Sequence, residues 1–195
     1  MGLFAEDTAG LLRALNINKA DVLGYSMGTN IALELTLRYP GMVNKLILYA
    51  GYCGGKEFVE PTPENMQKLT DTSGSTSERQ KRLLGLLFPE NWLKNNPDPA
   101  KYLPRVTEIY SLAIVDRQTT AMNGWEGCCS RLSAIKQPVL LITGTEDVLT
   151  PPENSKMMVN RIPLAWLVQF KGGGHGVMYQ YPKQFSKALL TFLED

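Results

Sequence analysis

The chain has 195 residues, a formal net charge of +1, 44% hydrophobic residues and 20% charged residues. That length suits one domain, or one domain with a sizeable insertion, and the balance is that of an ordinary soluble globular protein. The near-neutral charge, with no long single-sign run, gives no field to gather nucleic acid. No apolar stretch reaches the ~18 residues that suggest a bilayer span, so neither nucleic acid nor membrane is expected as a partner.

Residues 4–15 read as an amphipathic helix, with Phe4, Leu11, Leu12 and Leu15 at helical spacing and acids in the first turn. No basic region followed by an apolar run precedes it, so no signal peptide is expected. Met1-Gly2 opens like an acylation site, but Glu6 stands where that motif wants Ser or Thr. ADVLG at 20–24 is a short apolar run ended by glycine. Residues 27–38 read as a helix closed by Pro40-Gly41, and KLILYA at 45–50 suits a buried parallel strand. Helix, strand, helix, strand predicts a parallel sheet with crossover helices.

Residues 52–135 are rich in Glu, Gln, Lys, Asn, Thr and Pro and contain no clear strand. Helices are expected near 62–71, 77–88, 101–114 and 116–124, with FPENW (88–92) and NNPDP (95–99) as breakers. This segment reads as a helical insertion between two strands. Strand grammar returns with PVLLITG at 138–144, then a helix over PPENSKMMVNRI, then WLVQF at 166–170, a glycine cluster and a final helix near 181–193. Cys53, Cys128 and Cys129 are odd in number, with two adjacent and no CxxC. That pattern makes neither a disulfide framework nor a zinc site, so free thiols in a reducing cytoplasm are expected, with no metal and no cofactor.

Gly24-Tyr25-Ser26-Met27-Gly28 matches G-x-S-x-G, the nucleophile elbow. It follows a strand-like run and opens a helix, as the motif requires; the plain alternative is an ordinary strand–helix turn. The elbow lifts a serine hydroxyl to a helix N-terminus, where the backbone and dipole favour developing negative charge. Glycines are expected on both sides of the serine because a Cβ there would collide with packed backbone. The Met27 N–H is the expected oxyanion donor. Serine also needs a base, and the one histidine, His175, lies in GGGHGV just after a strand-like run. Asp147, in GTEDVLTPP after PVLLIT, is the candidate acid that would orient the imidazole, with Glu146 as its rival. A helix N-terminal acid is the plain alternative for either carboxylate.

GYSMG, GTEDVLTPP and GGGHG, in that order, resemble the α/β-hydrolase superfamily, in its branch of esterases, enol-lactonases and cofactor-free perhydrolases with a helical cap. The resemblance implies a partial α/β-hydrolase fold: a mostly parallel sheet with flanking helices. The core would be 1–51 and 136–195, and 52–135 a helical cap insertion. It also implies Ser26 as nucleophile, Asp147 as acid and His175 as base. The chain departs from the family in lacking the usual N-terminal strands before Phe4, and with them the loop that supplies a second oxyanion donor. Loss of one such donor typically costs about 10²–10³ in turnover. The expected activity is hydrolysis of a small carboxylic ester or lactone through an acyl-enzyme. The alternatives are a cofactor-free perhydrolase and a non-catalytic or partner-completed binding domain. A shortened sheet would leave an apolar edge, so a homo-oligomer covering it is expected. No G-x-G-x-x-G follows a strand, which argues against dinucleotide binding.

Overall fold

The computed structural model describes residues 1–104 and 112–195. Helix α1 (Gly2–Ala14) leads into β1 (Ala20–Tyr25), α2 (Met27–Arg38) and β2 (Val43–Tyr49). Helices α3 (Pro63–Thr70), α4 (Thr76–Leu87), α5 (Glu90–Asn95) and α6 (Leu112–Asn123) follow. The chain ends with β3 (Val139–Gly144), α7 (Pro152–Val159), β4 (Ala165–Phe170), α8 (Val177–Gln180) and α9 (Pro182–Glu194). The four strands form one sheet in the order β1-β2-β3-β4, every pair parallel. Helices flank it, so the alternation of helix and strand in the sequence was a sound guide.

The two central strands explain why their sequences read as unbroken apolar runs. Leu46 and Leu48 of β2 and Val139 and Leu141 of β3 face a core shared with Ala5, Ala9, Leu33, Leu35 and Met158. Ile47, Tyr49, Leu140 and Ile142 face the other way, against Val177, Phe185 and Phe192. A strand covered on both sides has no polar face to alternate with. Each such leucine or isoleucine contributes about 2 kcal/mol relative to an exposed one. The outer strands differ: β1 alternates between covered and open positions over most of its length, and β4 leaves Trp166 and Gln169 open.

Three local expectations need correction, and a fourth falls partly outside the described residues. Helix α1 begins at Gly2, so Glu6 and Asp7 fall outside its first turn, and it buries Ala5 and Ala9 rather than the leucine stripe. Leu11 and Leu15 are each 59% exposed, and Leu23 on β1 is 44% exposed. Period alone shows that a helix has two faces; it does not show which one the sheet takes. FPENW does not only break: Pro89 is the N-cap of α5, where its missing N–H costs nothing. The helix expected over 101–114 lies largely outside the described residues, with a 3-10 turn over Pro99–Tyr102 before them.

The free-thiol expectation fails for two of the three cysteines. Cys53, just after β2, is disulfide-bonded to Cys129, at the far end of the inserted helices. Their neighbours explain the meeting. The Cys128 N–H donates to the Cys53 carbonyl at 2.7 Å. Gly54 and Gly127, both at positive φ, pack backbone to backbone, and a Cβ on Gly54 would stand 2.8 Å from the Gly127 Cα. Sequence spacing carries no sign that the two roots of an insertion touch. Cys128 stays a free, buried thiol, which burial, ahead of the nearby Glu34, pushes up to about 12.

A second tie joins the same region to α2. Glu34 is 2% exposed. It accepts from the Trp125 indole N–H at 2.9 Å, the Arg38 Nε at 3.0 Å and both terminal nitrogens of Arg131. Burial alone would raise this carboxyl, but the bonds from Arg131, Trp125 and Arg38 outweigh it and hold it below the usual carboxylate range. No helix among the described residues is long and apolar enough to cross a membrane.

Candidate active site

Because all four strands run parallel, their carboxyl ends share one edge, where open α/β sheets place their functional loops. Ser26 follows β1, Asp147 follows β3 and His175 follows β4. Three residues scattered over 150 positions therefore reach one rim of the molecule.

Ser26 stands between strand and helix at φ 53°, ψ −122°, a left-handed conformation that a residue with a Cβ holds only under strain. The strain is sustained from both sides. The Ser26 N–H continues the ladder to the Tyr49 carbonyl at 3.0 Å, and the Ser26 carbonyl takes both the Thr29 N–H at 2.9 Å and the Thr29 hydroxyl at 2.6 Å. Gly24 is required by contact: a Cβ would lie 2.4 Å from the Gly28 carbonyl oxygen. Gly28 is not, since a Cβ there meets nothing within 4 Å. The expected pair of obligatory glycines thus reduces to one. Helix α2 begins at Met27, whose N–H belongs to the first-turn donors that have no intrahelical acceptor.

The structure joins Asp147 and His175 directly. The imidazole Nδ1 lies 2.9 Å from one Asp147 carboxylate oxygen and 3.1 Å from the other. Asp147 is 3% exposed, whereas Glu146 points to solvent, which separates the two acid candidates. A buried carboxylate needs donors, and the turn after it supplies them. The Leu149 N–H (2.9 Å) and Thr150 N–H (2.8 Å) reach one oxygen, and the Thr150 hydroxyl (2.8 Å) reaches the other. A carboxylate only accepts, so Nδ1 is the ring nitrogen that donates to Asp147, which leaves Nε2 as the one that carries the lone pair in a neutral ring. Ser26 and His175 make no hydrogen bond to each other. Tyr25, the residue before Ser26, places its ring 5.1 Å from the imidazole, centroid to centroid.

Around His175 the chain is almost all glycine, and each unit is held. Gly172 N–H donates to the Thr145 hydroxyl at 2.9 Å, and the Gly173 carbonyl accepts from Glu146 N–H at 2.8 Å. Gly174 N–H donates to the Gln180 side-chain oxygen at 2.7 Å. Gly176 N–H donates to the Leu87 carbonyl at the end of α4 at 2.8 Å, so the inserted helices touch the loop. A Cβ on Gly176 would lie 2.6 Å from the Phe88 ring, and one on Gly174 2.6 Å from the Leu87 oxygen. The His175 carbonyl itself accepts from the Tyr49 hydroxyl and, at 3.4 Å, from the Tyr25 hydroxyl.

Tyr25, Tyr49 and Thr150 were not singled out in the sequence. Tyr25 fills a free position of the elbow motif, Tyr49 hides in an apolar run and Thr150 looks like a turn residue. Burial raises both tyrosines well above the ordinary phenol range, with Asp147 next for Tyr25 and Tyr25 next for Tyr49, so both act as neutral donors. No cluster of three His, Cys, Asp or Glu side chains that could hold a metal occurs among the described residues.

Residues 4–180 match the family model described as serine aminopeptidase, S33. The chain belongs to this α/β-hydrolase family. It is 26% identical over 192 residues to the protein named "Putative carbamate hydrolase RutD" of Caulobacter vibrioides, covering 97% of this chain and 71% of the relative. It is 30% identical to the 2-hydroxy-6-oxononadienedioate/2-hydroxy-6-oxononatrienedioate hydrolase of Burkholderia vietnamiensis, covering 98% of this chain and 68% of the relative. Among solved structures, the α/β hydrolase MGS-M2 from a Medee basin deep-sea metagenome library superposes with a TM-score of 0.76 at 23% identity, covering 98% and 70%. The α/β-hydrolase fold is thus shared by this four-stranded chain and by relatives of greater length, and the named relatives are hydrolases.

Proposed function

We propose that this α/β hydrolase cleaves a small carboxylic ester or lactone through an acyl-enzyme, with Ser26 as nucleophile, His175 as base and Asp147 as acid. The observation that carries the reading is the buried Asp147–His175 pair on the rim where Ser26 occupies a strained elbow. In this mechanism the Ser26 oxygen attacks the carbonyl carbon while Nε2 takes the hydroxyl proton. The same proton passes to the departing alkoxide, the ester C–O bond breaks, and water hydrolyses the acyl-serine by the same route. Asp147 fixes the tautomer and stabilises the imidazolium. The Met27 N–H faces the oxyanion as it forms.

The test is labelling of the whole chain with a fluorophosphonate, followed by peptide mapping. Modification at Ser26, abolished in Ser26→Ala and in His175→Ala, supports the reading. A folded protein that does not label argues instead for a non-catalytic or partner-completed binding domain. Peracid formation from acetate and peroxide by a labelling-competent protein would favour the perhydrolase alternative. Carbamates and 2-hydroxy-6-oxo-dienedioates belong in the substrate panel because relatives carry those names.

Residues 52–135 act in this proposal as a cap, supported by the contact of Leu87 and Phe88 with the His175 loop. A second copy of the chain would cover the exposed Leu11, Leu15 and Leu23; a monomer by light scattering overturns that part. A cytoplasmic location belongs to the same proposal, and the Cys53–Cys129 bond weighs against it, since disulfides are rare in reducing compartments.

A further inference from the structure

Fixing a loop of four glycines around one histidine costs about 1–2 kcal/mol of backbone entropy per residue, and glycine loses the most freedom. Hydrogen bonds with Thr145, Glu146, Gln180 and Leu87 hold Gly172, Gly173, Gly174 and Gly176, which flank the histidine. The peptide of His175 itself is gripped by the two tyrosine hydroxyls. Tyr49 is fully buried at the end of a central strand, with its ring edge-on to Phe185 at 5.0 Å. Its oxygen donates to the His175 carbonyl and accepts from the Met178 N–H at 3.4 Å, so one atom ties both sides of the turn that follows the histidine. Tyr25 stacks on the Tyr49 ring at 4.8 Å and reaches the same carbonyl from the strand that delivers Ser26.

We infer that Tyr49, seconded by Tyr25, is a positioning residue for the base: the hydroxyl holds the His175 carbonyl so that the imidazole, already tied at Nδ1 by Asp147, stands at a fixed place relative to Ser26. This rests on the triad reading above. An imidazole tied only at Nδ1 can still shift as the flanking glycines move the backbone that carries it. With the carbonyl held as well, that backbone is fixed. A phenylalanine would fill the Tyr49 site equally well, so packing alone does not call for the hydroxyl.

The experiment compares the full-length wild type, Tyr49→Phe and Tyr25→Phe by fluorophosphonate labelling rate, by steady-state hydrolysis of p-nitrophenyl acetate normalised to titrated active sites, and by thermal midpoint. The expected result is a kcat about tenfold lower for Tyr49→Phe and about threefold lower for Tyr25→Phe, with KM changed less than about twofold, as for loss of one hydrogen bond. A merely structural role would lower the midpoint and the number of active sites and leave kcat per site unchanged, and that result overturns the inference. If Tyr49→Phe does not fold, Tyr25→Phe decides by the same split. A wild type that does not label sinks the triad reading and this inference with it. A reactive wild type with an indifferent Tyr49→Phe overturns the inference alone.

Discussion

The two halves of the candidate site are secured by different means. The acid–base half is held by short hydrogen bonds within its own loops: Leu149 and Thr150 on Asp147, Asp147 on His175, and a donor or acceptor for each glycine around it. The nucleophile half has few side-chain bonds of its own. It relies on backbone strain at Ser26 and on the anchoring of α2, whose Glu34 takes Trp125 and Arg131 from the far root of the inserted helices. The difference teaches that a flexible glycine loop needs many local bonds, whereas a strained elbow needs a rigid helix behind it and little else. Damage to the first should show in rate, and damage to the second in stability.

The sharpest break of that contrast is Asp147→Asn. It keeps the shape, but its amide oxygen is claimed by the Leu149 and Thr150 N–H groups, which turns the NH2 toward Nδ1 and favours the wrong tautomer, so it should lower kcat by about 10³–10⁴-fold with little change in thermal midpoint. Glu146→Gln, one residue away and exposed, should change neither, and an equal effect of the two would erase the distinction between the carboxylates. Next is reduction of the Cys53–Cys129 bond, or Cys53→Ala, which frees a loop of 76 residues' separation. The loop-entropy account expects a loss of about 4 kcal/mol by denaturant titration, with a folded enzyme still labelling at Ser26. Third is Glu34→Gln, expected to cost about 2 kcal/mol. Since the Glu34 pKa is lowered on folding, its contribution is complete above the ordinary value of 4.5 and is lost as pH falls through the lowered one. The wild type should therefore lose stability faster than Glu34→Gln below about pH 4.5; parallel acid limbs would count against the assignment. The smallest effect is Gly28→Ala. An open site inside a helix should gain up to about 1 kcal/mol, while Gly24→Ala should destabilise outright by its backbone clash.

These expectations also mark what could be read from the chain alone. The elbow was legible because its requirements lie within five adjacent residues and its strain is local. The parallel sheet was legible because strands covered on both faces must be continuously apolar. Asp147 and Glu146 were separable only in part, since the deciding quantity is burial, which belongs to the fold. Tyr49 was illegible: in an apolar run a tyrosine reads as core, and its hydroxyl gains meaning only when the β4 loop folds back over β2. The Cys53–Cys129 bond was hidden for the same reason, as two roots of an insertion meet only in three dimensions. The leucine spacing of α1 does not reveal the face that packs, which is set by Ala5 and Ala9, small enough to allow a close approach to α2.

Strand order and chain order coincide in this sheet, β1-β2-β3-β4. Each of β2, β3 and β4 therefore follows its own neighbour in the chain, and the sheet can grow by addition at a single edge. Ser26 follows the first of these four strands, and His175 follows the last. Between them lie β2, the helices that follow it, β3 and α7, so the candidate serine and its proposed base can meet only once the last of the four strands has docked.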